Sequence, residues 1–289
     1  MPIHPLAVVD SQAQVHPEAS IGPFCVVQGP AVIKAGVELR SHASVFGRST
    51  IGERTILFTG AVVGGDPQDL KFRGEDSQVE IGADCRIHEY VTINKGTAGG
   101  GMKTVVGDHA LLMAYVHIAH DCILGNHVVI SNNTQLAGHV RVGSRAIISG
   151  MVGVHHFVSF GELSYVGAGS GVRYDIPPYM VADGNPAEPR KINDVGLVRA
   201  GFQPEVVQAL KDAFRALYRD KSRPLSQAIE HFKERLPADP QHPVSRLVAW
   251  VSEHLESSVR GRVLEATRQP APGVKIPSPL PAGASAVSH

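Results

Sequence analysis

The chain has little that would place it on a membrane, on nucleic acid or in a disulfide framework. Cysteine is scarce: Cys25, Cys85 and Cys122 are too few and too scattered for a disulfide network or a thiolate metal site. Net charge is absent, because 27 basic residues face 27 acidic ones, so no global field draws nucleic acid or an anionic lipid surface. No apolar run approaches the length of a membrane span. The opening Met1-Pro2-Ile3-His4 has neither the basic nor the apolar region of a secretory leader, so the expected compartment is the cytoplasm.

What the chain does have is a period of six. From 106 to 172 every sixth residue is large and apolar: Val106, Leu112, Ile118, Leu124, Ile130 and onward to Val172. The residue four places later is small or β-branched, as at Ala110, Val116, Cys122, Val128 and Thr134, and Cys25 and Cys122 are expected simply to pack there. The same frame opens the chain from Ile3 to Val63, breaks over 64–78, returns at Ile81, Ile87 and Ile93, and breaks again over 96–104. Six fits neither a helix nor a two-sided strand. It fits a left-handed parallel β-helix, one short strand and one turn per hexad and three hexads per coil, with two loop insertions.

After Val172 turn chemistry takes over at Pro177-Pro178 and Gly184-Asn185-Pro186, and from Pro204 the spacing turns helical, with Val206, Leu210, Ala213, Phe214, Leu217 and Tyr218 on one face. Segments 224–236 and 244–255 read as two further helices. The expected organisation is therefore mainly β with an α C-terminal domain: a β-helix over 1–190, a small helical domain over 191–262, and a disordered Pro/Ala/Gly-rich tail over 263–289.

Residues eighteen apart stack on such a prism. That places His117, His120, His139, His155 and His156 within two coil spacings, about 10 Å. Five converging imidazoles fit a histidine metal site, as in carbonic-anhydrase-like trimers of this fold, or an acid/base site with a neutral imidazole. The same columns put Leu111, Val129, Ile147 and Tyr165 in an outward apolar stripe, around the corner from His120, that reads as an interface. They also put Ala114, Asn132, Gly150 and Ala168 in a column of mostly small residues able to leave a groove. Lys211, Arg215 and Arg219, four apart, form one basic helix face, continued by Lys221 and Arg223.

Several motifs carry a resemblance. His117-Ile118-Ala119-His120-Asp121, Gln68-Asp69-Leu70-Lys71, Leu136-Ala137-Gly138-His139 and Gly184-Asn185-Pro186 resemble the UDP-N-acetylglucosamine acyltransferases that begin lipid A synthesis, over roughly residues 3–260. The resemblance implies transfer of a 3-hydroxyacyl group from acyl carrier protein to the sugar 3-hydroxyl. It implies no metal and no cofactor beyond the phosphopantetheine on the carrier. It makes His120 the base, Asp121 its partner and the Gly138 N–H an oxyanion donor. Gln68, Asp69, Lys71, His117, His139, His155 and His156 fall to the sugar, and Asn193 and Arg199 to the nucleotide. Ala168 matches the position that sets acyl length, Lys211, Arg215 and Arg219 face the carrier, and the assembly is a homotrimer with sites between subunits. Two departures stand out: His156 replaces the family's glutamine, and Ala200 replaces a second arginine after Arg199. The competing expectations are a sugar-nucleotide N-acyltransferase, an acetyltransferase of the same fold, and the histidine-metal trimer.

Overall fold

The computed structural model describes residues 3–220, 222, 224–233 and 236–256. The chain winds into a three-sided prism whose faces are sheets of nine, eight and ten strands, parallel throughout except for the last pair of the ten. In chain order we call them face I (from Val8–Val9), face II (from Gln14–Val15) and face III (from Ser20–Ile21). Most strands are two residues long, because each hexad has room for one outward and one inward residue before it must turn. Successive coils pair eighteen residues apart, as in Leu112↔Ile130↔Ile148. Across the two insertions the pairing becomes Val63↔Ile93 and Ile93↔Ile118, so the extra residues loop out and the inward column continues.

That column is the core. Leu57, Ile87, Leu112, Ile130 and Ile148 are fully buried, and the small positions Ala110, Cys122, Thr134 and Ala146 fill the spaces between them. All three cysteines are buried free thiols, and burial pushes the Cys122 thiol up to about 12. The corners carry an uncommon feature. Every sixth residue from Tyr115 to Leu163, none of them glycine, has positive φ. Non-glycine residues rarely enter this left-handed region, and here a coil that must turn every six residues holds them in it.

At the C-terminal end a hairpin, Met180–Gly184 against Ala187–Ile192, adds to face III and closes the prism. Four helices follow: α1 (Asp194–Arg199), α2 (Pro204–Phe214), α3 (Leu225–Lys233) and α4 (Pro243–Glu256). Pro204 opens α2, where its missing N–H costs nothing. Val207, not Val206, is the residue of the first turn that is buried, together with Leu210, Ala213 and Phe214. Tyr179, wholly buried, donates its hydroxyl to Glu162, and Arg246 of α4 reaches the same carboxylate at 2.7 Å, tying the helices to the prism. No helix among the described residues is long and apolar enough to cross a membrane. The segment 257–289, with the whole of the expected tail, and Lys221 and Arg223 lie outside the described residues.

Candidate active site

His120 and Asp121 occupy the corner between faces I and II. Adjacent side chains on a straight strand point apart. Here Asp121 has φ of 61°, and the bend brings its carboxylate Oδ2 to 2.8 Å from His120 Nδ1. Both residues are buried, His120 5% and Asp121 4% exposed. The second insertion and the strand that follows it, Lys103–Val106, supply the rest of the setting. Thr97 donates its N–H to Asp121 Oδ1 (2.9 Å) and its hydroxyl to Oδ2 (2.6 Å), while the Thr104 hydroxyl accepts the Asp121 N–H at 2.8 Å. Burial pushes the Asp121 carboxyl up, but the bonds from His120 and Thr97 outweigh it and hold the group below its ordinary value. Asp121 is therefore an acceptor only, so His120 Nδ1 carries the proton that it donates. The lone pair is left on Nε2.

Nε2 faces the first insertion and the next coil. Asp69 Oδ2 lies 3.9 Å from it, and Asp69 Oδ1 accepts the Lys71 N–H at 2.9 Å. Beneath the ring is Gly138, where a Cβ would stand 2.5 Å from His120 Cε1 and 2.6 Å from Nε2. The imidazole thus rests on a bare α-carbon. Among the described residues no backbone carbonyl accepts the Gly138 N–H.

A cleft of about 550 Å³ runs from this corner across face I. Gln68, His117, His120, His155 and His156 line it, so four of the five clustered histidines share it. His139 does not; its ring meets His120 edge-on, with centroids 5.0 Å apart, and stacks on Phe157. His117 Nδ1 is 2.7 Å from the Thr92 hydroxyl, and burial, with the nearness of the His120 imidazole second, lowers its pKa. Gly153 and Gly171 stand where lower coils carry Thr92, His117 and Gln135, so the cleft is open toward the C-terminal end of the prism. Ala168 lies at the opposite corner of face I, exposed and outside the cleft lining.

A second cleft, of about 530 Å³, lies on face III and is lined by Val129, Ile147 and Tyr165 of the apolar stripe and by Asn193 and Arg199. The stripe is not around the corner from His120. Faces follow in the order I, II, III, so face III lies opposite the I–II corner. Within one chain the residues assigned to the sugar and to the nucleotide are therefore not brought together. Asn193 also has local work: its Oδ1 caps α1 at the Gly196 N–H and its Nδ2 donates to the Leu163 carbonyl. A third cleft, of about 330 Å³, gathers Lys211, Arg215 and Arg219 with Arg190 and Lys191. There the helix does not continue regularly, because Arg215–Arg219 is a π-helical turn. Arg215 pairs with Asp212 at 2.6 Å, and Arg219 donates to the Arg190 carbonyl.

His120, Asp121 and His139 also form a group whose ligand atoms lie within 4.8 Å of one another, close enough for a metal ion. Two of the residues that build the site, Thr97 and Thr104, were not anticipated from the sequence. Thr97 sits on the second insertion, outside the six-residue frame, where no column predicts a neighbour; Thr104 lies in the strand Lys103–Val106, paired with Val79 and in the small-residue series of Ala110 and Val116.

A left-handed hexapeptide prism with a histidine–carboxylate pair at one corner and a helical cap defines a hexapeptide-repeat transferase. The profile described as "Bacterial transferase hexapeptide (six repeats)" matches residues 103–138, and that described as "Udp N-acetylglucosamine O-acyltransferase; Domain 2" matches 175–263. Over 216 residues the chain is 46% identical to the acyl-[acyl-carrier-protein]–UDP-N-acetylglucosamine O-acyltransferase of Rhizobium johnstonii, covering 75% of this chain and 79% of the relative. It is 40% identical over 256 residues to the Sinorhizobium fredii protein of the same name, covering 89% and 95%. Among solved structures, LpxA of Acinetobacter baumannii superposes with a TM-score of 0.83 at 36% identity, over 88% of this chain and 97% of that one. The Arabidopsis UDP-N-acetylglucosamine acyltransferase gives 0.77 at 30%, over 90% and 99%. This chain belongs to the acyl-[acyl-carrier-protein]–UDP-N-acetylglucosamine O-acyltransferase family.

Proposed function

We propose that the protein moves a 3-hydroxyacyl group from acyl carrier protein to the 3-hydroxyl of UDP-N-acetylglucosamine, the first step of lipid A synthesis. The observation that carries the mechanism is the His120–Asp121 pair. With Nδ1 committed to a carboxylate, Nε2 takes the sugar hydroxyl proton as the oxygen attacks the thioester carbonyl. Asp121 then stabilises the imidazolium. Base catalysis of this kind contributes on the order of 100- to 10,000-fold. The Gly138 N–H is the donor for the tetrahedral oxyanion, a role typically worth about 100- to 1,000-fold. Collapse expels the carrier thiol, which recovers the proton from His120. The protein's own side chains suffice for this chemistry, and the only prosthetic group is the phosphopantetheine that arrives on the carrier.

Gln68, Asp69, Lys71, His117 and the face I histidines hold the sugar, and the open lane over Gly153 and Gly171 takes the acyl chain. Asn193 and Arg199 lie on face III, and a homotrimer resolves their separation by setting face III of one copy beside face I of the next. Lys211, Arg215 and Arg219 meet the acidic carrier, and the enzyme works in the cytoplasm. An N-acyltransferase or a coenzyme A-dependent acetyltransferase shares the fold, but the relatives above carry the O-acyltransferase name.

The proximity of His120, Asp121 and His139 supports one competing reading, a metal-dependent trimer. Acyl transfer measured on protein whose metal content has been determined separates the two. Full turnover by chelator-treated, zinc-free protein is expected, and turnover that requires stoichiometric zinc would overturn the base mechanism.

A further inference from the structure

The cleft on face III has an unbalanced charge. His127, Arg145, Lys191 and Arg199 line it, and its one acidic liner, Asp194, has its carboxylate 3.5 Å from Lys211 Nζ. Arg145, Lys191 and Arg199 have no carboxylate partner among the described residues. Some surface cations elsewhere are matched closely, as in Arg54–Asp84, Arg190–Asp183 and Arg215–Asp212 at 2.6–2.7 Å. Arg145, Lys191 and Arg199 are exposed, and their convergence on one cleft gives it a positive field that favours an anion. The opposite wall is apolar, from Val129, Ile147, Tyr165 and Val181. A ligand that is multiply anionic at one end and flat or apolar at the other fits both walls. Ala200 also lines this cleft and leaves space beside Arg199.

We infer that Lys191 and Arg145 join Arg199 in holding the diphosphate of the sugar nucleotide, and supply the charge that a side chain at Ala200 does not. The inference rests on the acyltransferase reading above and deepens it. Guanidinium and ammonium groups make charge-assisted bonds to phosphate oxygens from different directions. Two cations on the prism corner and the capping hairpin can therefore replace one on α1. Lys191 also borders the basic cleft beside α2, whereas Arg145 lines the face III cleft alone, which makes Arg145 the cleaner probe.

The test uses the full-length protein. Binding of UDP by calorimetry and steady-state constants for UDP-N-acetylglucosamine and for acyl carrier are measured for Arg145→Ala, Lys191→Ala, the double variant, and Arg199→Ala as reference. Each single variant is expected to weaken UDP binding and raise the sugar-nucleotide KM about tenfold, the loss of one charge-assisted bond. The carrier KM stays within about twofold for Arg145→Ala, a threshold set well below that tenfold loss. Adding Ala200→Arg to the double variant restores most of the affinity. If Arg199→Ala weakens UDP binding while Arg145→Ala and Lys191→Ala do not, the inference fails and the functional reading stands. If none of the three does, the cleft holds no nucleotide and the roles of Asn193 and Arg199 fall with it. A raised carrier KM for Arg145→Ala with unchanged UDP affinity would assign the cleft to the acidic carrier and overturn the proposal.

Discussion

Gly138→Ala is the smallest change that reaches the chemistry. The backbone at 138 lies outside the left-handed region, and the equivalent corner position is alanine at Ala114 and Ala168, so the turn accepts a methyl group. The imidazole does not. The new Cβ would lie 2.5 Å from His120 Cε1, 2.6 Å from Nε2 and 3.0 Å from Nδ1. Carbon atoms settle at about 3.5–4.0 Å, so the ring must retreat by about 1 Å. Asp121 holds it at Nδ1, and retreat therefore strains the pair or tilts Nε2 away from the substrate hydroxyl. A misplacement of about 1 Å can cost on the order of 100-fold. The peptide N–H at 138 survives the substitution, so the loss reports the position of the base and not removal of the oxyanion donor. The expected result is a kcat lower by about 100-fold, with the melting temperature nearly unchanged. A variant that keeps more than about a third of wild-type kcat, far above that expectation, would refute the placement of the ring over Gly138 as a requirement for catalysis.

Thr97→Val keeps the shape and the N–H but removes the hydroxyl bond to Asp121; denaturant titration is expected to show a loss of about 1.5–3 kcal/mol, the range for a bond to a charged group, and an unchanged midpoint would contradict the role given to Thr97. The lowered pKa of His117 means that below about 6.5 the unfolded chain takes up its proton first, so stability falls with pH in that window. The lowered Asp121 pKa acts in the same direction below 3.8. His117→Gln should flatten stability between pH 7 and 5 while leaving the Asp121 window intact, and an identical slope would exclude His117 as the source. Reversing Arg215 and Arg219 to Glu should raise the carrier KM at low salt and less so at high salt; an unchanged KM at low salt would remove these residues from the carrier surface.

The fold was legible because every coil makes the same demand. Ile118, Ile130 and Leu136 each sit on a wall with two more behind it, and a slip of one residue would turn all of them outward. The insertions were legible for the opposite reason, since they interrupt that frame. The histidine cluster followed from the eighteen-residue columns. What the columns do not encode is turn direction. Asp, His, Arg, Met and Phe all occupy the left-handed corner position, so the bend that joins Asp121 to His120 had no compositional mark. The grip of Thr97 on Asp121 was hidden likewise, because it crosses from an insertion to a coil. The relation between His120 and the stripe was misjudged because residue spacing gives the column but not which faces adjoin a given corner. The regular four-residue spacing of Lys211, Arg215 and Arg219 suggested an uninterrupted helix, and the π-helical turn at Arg215–Arg219 departs from it.

If Nε2 of His120 takes the sugar hydroxyl proton, removing the imidazole must slow transfer without unfolding the prism. Purified wild-type protein and His120→Ala are incubated with UDP-N-acetylglucosamine and a mixture of 3-hydroxyacyl carriers, and the products are resolved by mass spectrometry. The expected product from the wild type is an alkali-labile ester of the sugar nucleotide. The variant is expected to form it at a rate lower by about 100- to 10,000-fold, with circular dichroism unchanged. No acylated nucleotide from the wild type, or a variant rate within about tenfold of wild type, below the range for a general base, would exclude His120 as the base of this reaction.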